Sequence, residues 1–135
     1  MTGKREPITY KGRSIGIIVF TSLQLLIGAI HALSGILLIA SGESVWQATE
    51  AYNVYTTVFG LLVMVFAVFV WQGKKEGWIG TIAVSVFITI ADLCRVLNLP
   101  SIPGIPSFAP PVEIAYSIIV IIYLSLPHVR RKFFP

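Results

Sequence analysis

The stretch Ile15 to Ala40, IGIIVFTSLQLLIGAIHALSGILLIA, decides how the rest of the chain is read. It holds no Asp, Glu, Lys or Arg, and its only readily titrating side chain is His31. A helix rises about 1.5 Å per residue, so one over this stretch exceeds a bilayer core of roughly 30 Å and must tilt or project. The run is also longer than the apolar core of a secretory leader, which spans about 7–15 residues. It reads as a first membrane span.

Three more apolar runs follow, at about 52–71, 78–97 and 111–126. Every Lys and Arg except Arg95 lies outside the runs, in three clusters: Lys4, Arg5, Lys11 and Arg13; Lys74 and Lys75; and Arg130, Arg131 and Lys132. The clusters mark alternate loops, and cytoplasmic loops carry the excess of Lys and Arg. The expected architecture is therefore an all-α, integral membrane four-helix transmembrane bundle. It forms a single domain over residues 1–135, multi-pass in the cell membrane, with both termini cytoplasmic.

Composition points the same way. Charged residues make up 12% of the chain, against about 25% in soluble domains. A chain of this size has too much surface for its volume to hide so much apolar side chain. The net charge of +4 does not imply a nucleic-acid partner. The basic residues gather on one side of the membrane, where anionic headgroups attract each by about 1 kcal/mol. Arg130, Arg131 and Lys132 are the candidate lipid-headgroup contacts.

The loops differ in kind. Residues 41–51 carry Glu43 and Glu50 and no basic residue, with Trp46 and Tyr52 suited to an interface. Residues 72–77 form a short glycine-bounded hairpin between Trp71 and Trp78. Residues 99–111 contain five prolines, which prohibit regular helix there. The expectation is a stiff, extended strap on the outer surface of the bundle. Pro111 suits the first turn of the next helix, and Pro127 ends it. Span four is short for a full crossing, which calls for local thinning of the bilayer.

Polar residues inside a span are costly and turn towards the protein interior. On span one, Gln24, Gly28, His31 and Gly35 follow helical spacing, with Ala32 beside them. Thr56, Gly60, Met64 and Ala67 do the same on span two. Small residues at this spacing let helix backbones approach, so Gly28, Ala32, Gly35, Gly60 and Ala67 form the expected packing seam. On span three, Thr81, Ser85, Thr89 and Asp92 share a face. The hydroxyls of such residues satisfy themselves on carbonyls one turn back. Asp92 and Arg95 stand at i and i+3, where opposite charges pair. Glu113, in the first turn of span four, is favoured by the helix dipole. Tyr116 lies on the same face.

Depth brings several of these together. His31 lies roughly 24 Å along an outward-running helix, in the half that holds Asp92, Arg95, Glu113 and Tyr116. Gln24, His31, Asp92, Arg95, Glu113 and Tyr116 are the candidate polar site, a cluster beneath the strap. No local pair has metal-ligand spacing, so no metal is expected, and no cofactor either. A bis-histidine haem is disfavoured because His31 and His128 fall at different membrane depths. The single cysteine, Cys94, excludes an intramolecular disulfide and dithiol redox chemistry. No nucleophile signature or phosphate-binding glycine loop is present.

The leading functional expectation is a non-catalytic accessory or scaffold subunit. It would act through helix contacts in the bilayer, as a homo-oligomer or within a larger membrane complex. The alternative is a protomer of an oligomeric small-solute or ion transporter or channel, with a polar path through Gln24, His31 and Asp92. A third is a lipid- or quinone-binding enzyme partner whose outer cluster contacts a headgroup.

Overall fold

The structure is a computed structural model and describes residues 9–10, 13–42 and 50–135. Lys4, Arg5, Lys11, Glu43 and Trp46 lie outside the described residues. Apart from turns and the proline-rich strap, the described residues are helical except for one small pairing: β1 (Thr9–Tyr10) runs antiparallel to β2 (Arg13–Ser14) just before the first helix. Then come α1 (Ile15–Ser41), α2 (Glu50–Trp71), α3 (Lys75–Val96), α4 (Ala109–Ser125) and the single turn α5 (Pro127–Arg130). By length and composition α1, α2 and α3 are each able to cross a membrane, while α4 is a shorter apolar helix.

Local signals set the helix ends. The Ser14 hydroxyl accepts a hydrogen bond from the Ile17 N–H at 3.4 Å, covering one of the free donors at the start of α1. Gly42, in the left-handed conformation, closes that helix. At the end of α3 it is Asn98 that turns left-handed (φ 56°). Behind it the Leu99 N–H donates to the Cys94 carbonyl at 2.8 Å and the Asn98 N–H to the Arg95 carbonyl at 3.2 Å. This is the Schellman pattern with asparagine in the glycine position. Pro110 and Pro111 sit in the first turn of α4, where a missing N–H costs nothing.

The four long helices run up and down. One end of the bundle holds the start of α1, the α2–α3 turn and the C-terminal tail, and is called here the hairpin end. The other holds the end of α1, the start of α2 and the proline-rich strap, and is the strap end. Packing is closest between neighbours in the chain: α1 on α2, α2 on α3, α3 on α4. At the hairpin end all four helices meet over a dry cluster of Ile17, Val70, Val120 and Leu124, closed from below by Val129 and Phe133 of the tail. The Trp78 indole N–H donates to the Leu124 carbonyl at 2.8 Å. That carbonyl belongs to the last turn of α4, where intrahelical donors run out.

The strap is not a bare extended ribbon. It turns at Gly104 (φ 79°) and drives Ile105 into the bundle, where it packs on Tyr52 and Ala109. The Ser101 hydroxyl ties it to the Ala91 carbonyl at 2.7 Å.

Candidate functional site

The small residues of α1 and α2 meet inside one chain. A side-chain carbon on Gly28 would lie 2.7 Å from the Gly60 carbonyl oxygen, and one on Gly60 would lie 2.6 Å from the Ala32 nitrogen. Any larger residue at either position would push the two backbones apart. Gly35 is packed in the same way against Thr57 and the Asn53 carbonyl. Ala32 and Ala67 are both buried. The seam therefore joins α1 to α2 of the same molecule, and these residues have no surface left to offer a second copy.

Just beside the seam the bundle opens. A narrow cavity of about 40 Å³ lies among Gly28 and His31 of α1, Tyr55, Thr56 and Gly60 of α2, Ile88 of α3, and Glu113, Tyr116 and Ser117 of α4. It has room for a water molecule or a group of that size. Two larger clefts share its wall. One of about 310 Å³ lies between Ile27, Ile30 and His31 on α1 and Val112, Glu113 and Tyr116 on α4. The other, about 370 Å³, runs from His31 and Glu113 to the strap at Pro106 and Phe108. The clefts exist because α1 and α4 touch closely only near the hairpin end, where the Phe20 and Tyr123 rings lie 4.9 Å apart.

The polar groups around the cavity are unevenly satisfied. His31 Nδ1 shares a hydrogen bond of 2.9 Å with the Thr56 hydroxyl. The Tyr52 hydroxyl reaches the Glu113 carboxyl. Glu113 in turn faces Asp92 of α3. Asp92 is wholly buried, and apart from Glu113, with which it shares a hydrogen bond, no protein group reaches its oxygens. Gln24, 2% exposed, lies beside the Tyr116 hydroxyl. The Tyr55 and Ser117 hydroxyls are buried without a partner, and Ser117 is 0% exposed. Leaving a buried polar group unsatisfied costs about 1–3 kcal/mol, and several such groups share this one region.

Five of the six residues expected in the polar cluster thus come together: Gln24, His31, Asp92, Glu113 and Tyr116. Arg95 does not join them, and the expected Asp92–Arg95 ion pair is absent. Arg95 is exposed, and its Nε donates to the Ile105 carbonyl of the strap at 3.3 Å. The spacing brings the two Cβ atoms onto neighbouring positions, but Asp92 points into the bundle while Arg95 points away from it. Self-satisfied hydroxyls on α3 are found at Thr89, which donates to the Ser85 carbonyl at 2.8 Å. They are not found at Thr81, whose buried hydroxyl has no partner.

Tyr55 and Ser117 were not singled out from the sequence. Ser117 did carry a signal, since it stands four residues after Glu113 on the same helical face. Tyr55 stands three after Tyr52 and shares its face in the same way.

At the hairpin end the Arg130 guanidinium lies over two aromatic rings, 5.8 Å from the Trp78 centroid and 5.9 Å from that of Phe134. Arg131 and Lys132 are exposed beside it. Partial desolvation lowers the pKa of the Lys132 ammonium from its ordinary value. Among the described residues no three His, Cys, Asp or Glu side chains gather to hold a metal ion. No family model, no curated protein and no solved structure matches the chain.

Proposed function

We propose that the chain crosses the cell membrane four times, with both termini and the α2–α3 turn in the cytoplasm. We further propose that it binds a small ligand within the bilayer as the protomer of a small-solute transporter. The orientation is supported by Lys74, Lys75, Arg130, Arg131 and Lys132, which share the hairpin end. With 17 residues α4 is about 26 Å long, short of a full bilayer core, so the fourth crossing needs a locally thinner membrane.

One observation carries the binding reading. Hydroxyls left without partners on two helices, Tyr55 and Ser117, converge with Glu113 and His31 on one cavity that continues into two clefts. Polar groups that served only helix packing would be paired with each other. Of the expected path through Gln24, His31 and Asp92, only His31 lines the cavity and its clefts, and Ile17, Val70, Val120 and Leu124 fill the hairpin end below them. Passage through the chain requires that plug to part.

Access to the chamber is tested with one cysteine at a time in a Cys94→Ser background. Ser117→Cys should react with a membrane-permeant maleimide. Val120→Cys, nearly one turn further into the dry cluster, should not. A Ser117→Cys thiol that resists the reagent as fully as Val120→Cys would remove the binding reading.

The accessory or scaffold reading, as a homo-oligomer or a part of a larger complex, comes second. What favours it is the broad apolar face of α1, with Leu23, Leu26, Ile30, Leu33 and Leu37 all at least half exposed. Lipid covers such a face equally well. Native mass spectrometry from mild detergent separates the two readings, since a defined partner subunit would favour the accessory role.

A further inference from the structure

We propose that the cavity takes a primary ammonium group carried on an aliphatic chain, with the nitrogen at Glu113 and Ser117 and the chain in the cleft between α1 and α4. The inference rests on the binding reading above and names the class of ligand. It follows from an inventory of donors and acceptors. The wall presents the Glu113 carboxyl, which is hydrogen-bonded to the Asp92 carboxyl behind it, and no other protein group reaches the Asp92 oxygens. Ser117, completely buried and unpartnered, lines the same cavity, as does the unpartnered Tyr55 hydroxyl. Among the described residues no Lys or Arg lines the cavity or either of its clefts. A hydrogen-bonded pair of carboxyls holds one proton between them, so the pair carries a single negative charge that no positive group at the site offsets.

An ammonium group is the complement of that charge. It brings three N–H donors, one positive charge and no acceptor. One N–H meets the Glu113 carboxylate, and hydroxyl oxygens such as that of Ser117 accept the others. A buried carboxylate that gains a hydrogen-bonded cation is relieved of most of its desolvation penalty. The Tyr55 and Phe59 rings also line the wall, and aromatic faces attract a desolvated cation. An anionic head would face two carboxyls. A neutral alcohol would leave them without a counter-charge.

The chain attached to the nitrogen is set by the cleft. Ile27, Ile30 and Val112 surround about 310 Å³ that joins the cavity at His31, Glu113 and Tyr116. This is the lower end of the size range of ligand pockets, and its sides are branched aliphatic residues. A bare metal cation would make no use of it.

The test uses the purified full chain in lipid nanodiscs and radiolabelled dodecylamine, read as saturable binding near neutral pH. Unlabelled dodecylamine, dodecanol and dodecanoate, which share one chain length, serve as competitors. Dodecylamine should compete at least about tenfold more strongly than dodecanol, as expected for hydrogen bonds to a charged group. Dodecanoate should compete least. Glu113→Gln should weaken dodecylamine binding about tenfold and leave dodecanol unchanged, and Asp92→Asn should act in the same direction. Thermal unfolding of each variant shows whether it is folded, and Ser117→Ala provides a second, milder probe of the same nitrogen site. Equal competition by all three amphiphiles would overturn the ammonium inference while leaving a cavity that binds ligands. Unchanged dodecylamine binding in folded Glu113→Gln would overturn it too. Reactive Ser117→Cys without saturable binding of dodecylamine would sink the ammonium inference alone, whereas an inert Ser117→Cys would sink the binding reading with it.

Discussion

The two halves of the bundle are built on opposite terms. At the hairpin end four helices close over Ile17, Val70, Val120 and Leu124; the Trp78 indole and the buried Thr21 hydroxyl have their acceptors there, and the Thr81 hydroxyl has none. At the strap end the Tyr55 and Ser117 hydroxyls are buried without a partner, buried Asp92 has only the Glu113 carboxyl, and α1 stands away from α4. Within a bilayer, helices gain little from the hydrophobic effect, so tight packing and satisfied hydrogen bonds hold them together. The hairpin half has the tighter packing and fewer unpartnered groups, Thr81 among them. The strap half gives up some of each, and that loss is what a binding site requires. Stability and binding should therefore respond to different residues.

The comparison can be broken at the line between the halves. Gly60→Leu forces a side chain into the α1 backbone, and overpacking of this kind costs about 3 kcal/mol or more. SDS-induced unfolding in mixed micelles should show little folded protein, and the damage should already appear in the monomer. A folded monomer that merely fails to assemble would mean the seam works between molecules. Next in size is Leu124→Ala. It empties part of the dry cluster and should lower stability by about 2–4 kcal/mol in the same titration, with the reactivity of Ser117→Cys preserved.

Replacements in the strap half should go the other way. Asp92→Leu removes a buried carboxyl whose one partner is the Glu113 carboxyl, and should raise stability by about 1–2 kcal/mol while abolishing dodecylamine binding. A loss of stability would show that Asp92 holds the fold together. The smallest effect is expected from Trp78→Phe. It removes the bond to the Leu124 carbonyl and should cost about 1 kcal/mol, with no change in ligand binding.

The long helices were legible because a membrane demands uninterrupted apolar length, and α1, α2 and α3 supply it. Of the five prolines of residues 99–111, Pro100, Pro103 and Pro106 marked where helix could not continue while Pro110 and Pro111 fell in the first turn of α4, and none showed that Ile105 would turn inwards. Small-residue spacing showed that α1 and α2 carry close-approach faces. It could not show whether the partner was a neighbour in the chain or another molecule. The Asp92–Arg95 spacing misled for a related reason: positions three apart adjoin on a helix surface, yet the boundary between interior and exterior passes between these two. Depth counting placed His31 near Glu113 and Tyr116, since rise per residue is nearly constant. Tyr55 and Ser117 stayed hidden because what distinguishes them is the lack of a partner. That property exists only once four helices are in place.

The close α1–α2 contact also bears on how the protein comes to be made. Gly28 and Gly60 can meet as soon as the α2 segment has left the ribosome, with nothing downstream required. Residues Ile15 to Trp71 can then enter the lipid as one hairpin, and α3 and α4 can pack onto it as a second. On this order of biogenesis the cleft between α1 and α4 is enclosed only after α4 has joined the earlier hairpin, because one of its walls is α4. A nascent chain stalled after α2 should already resist proteolysis as a compact pair, before any ligand has a place to go.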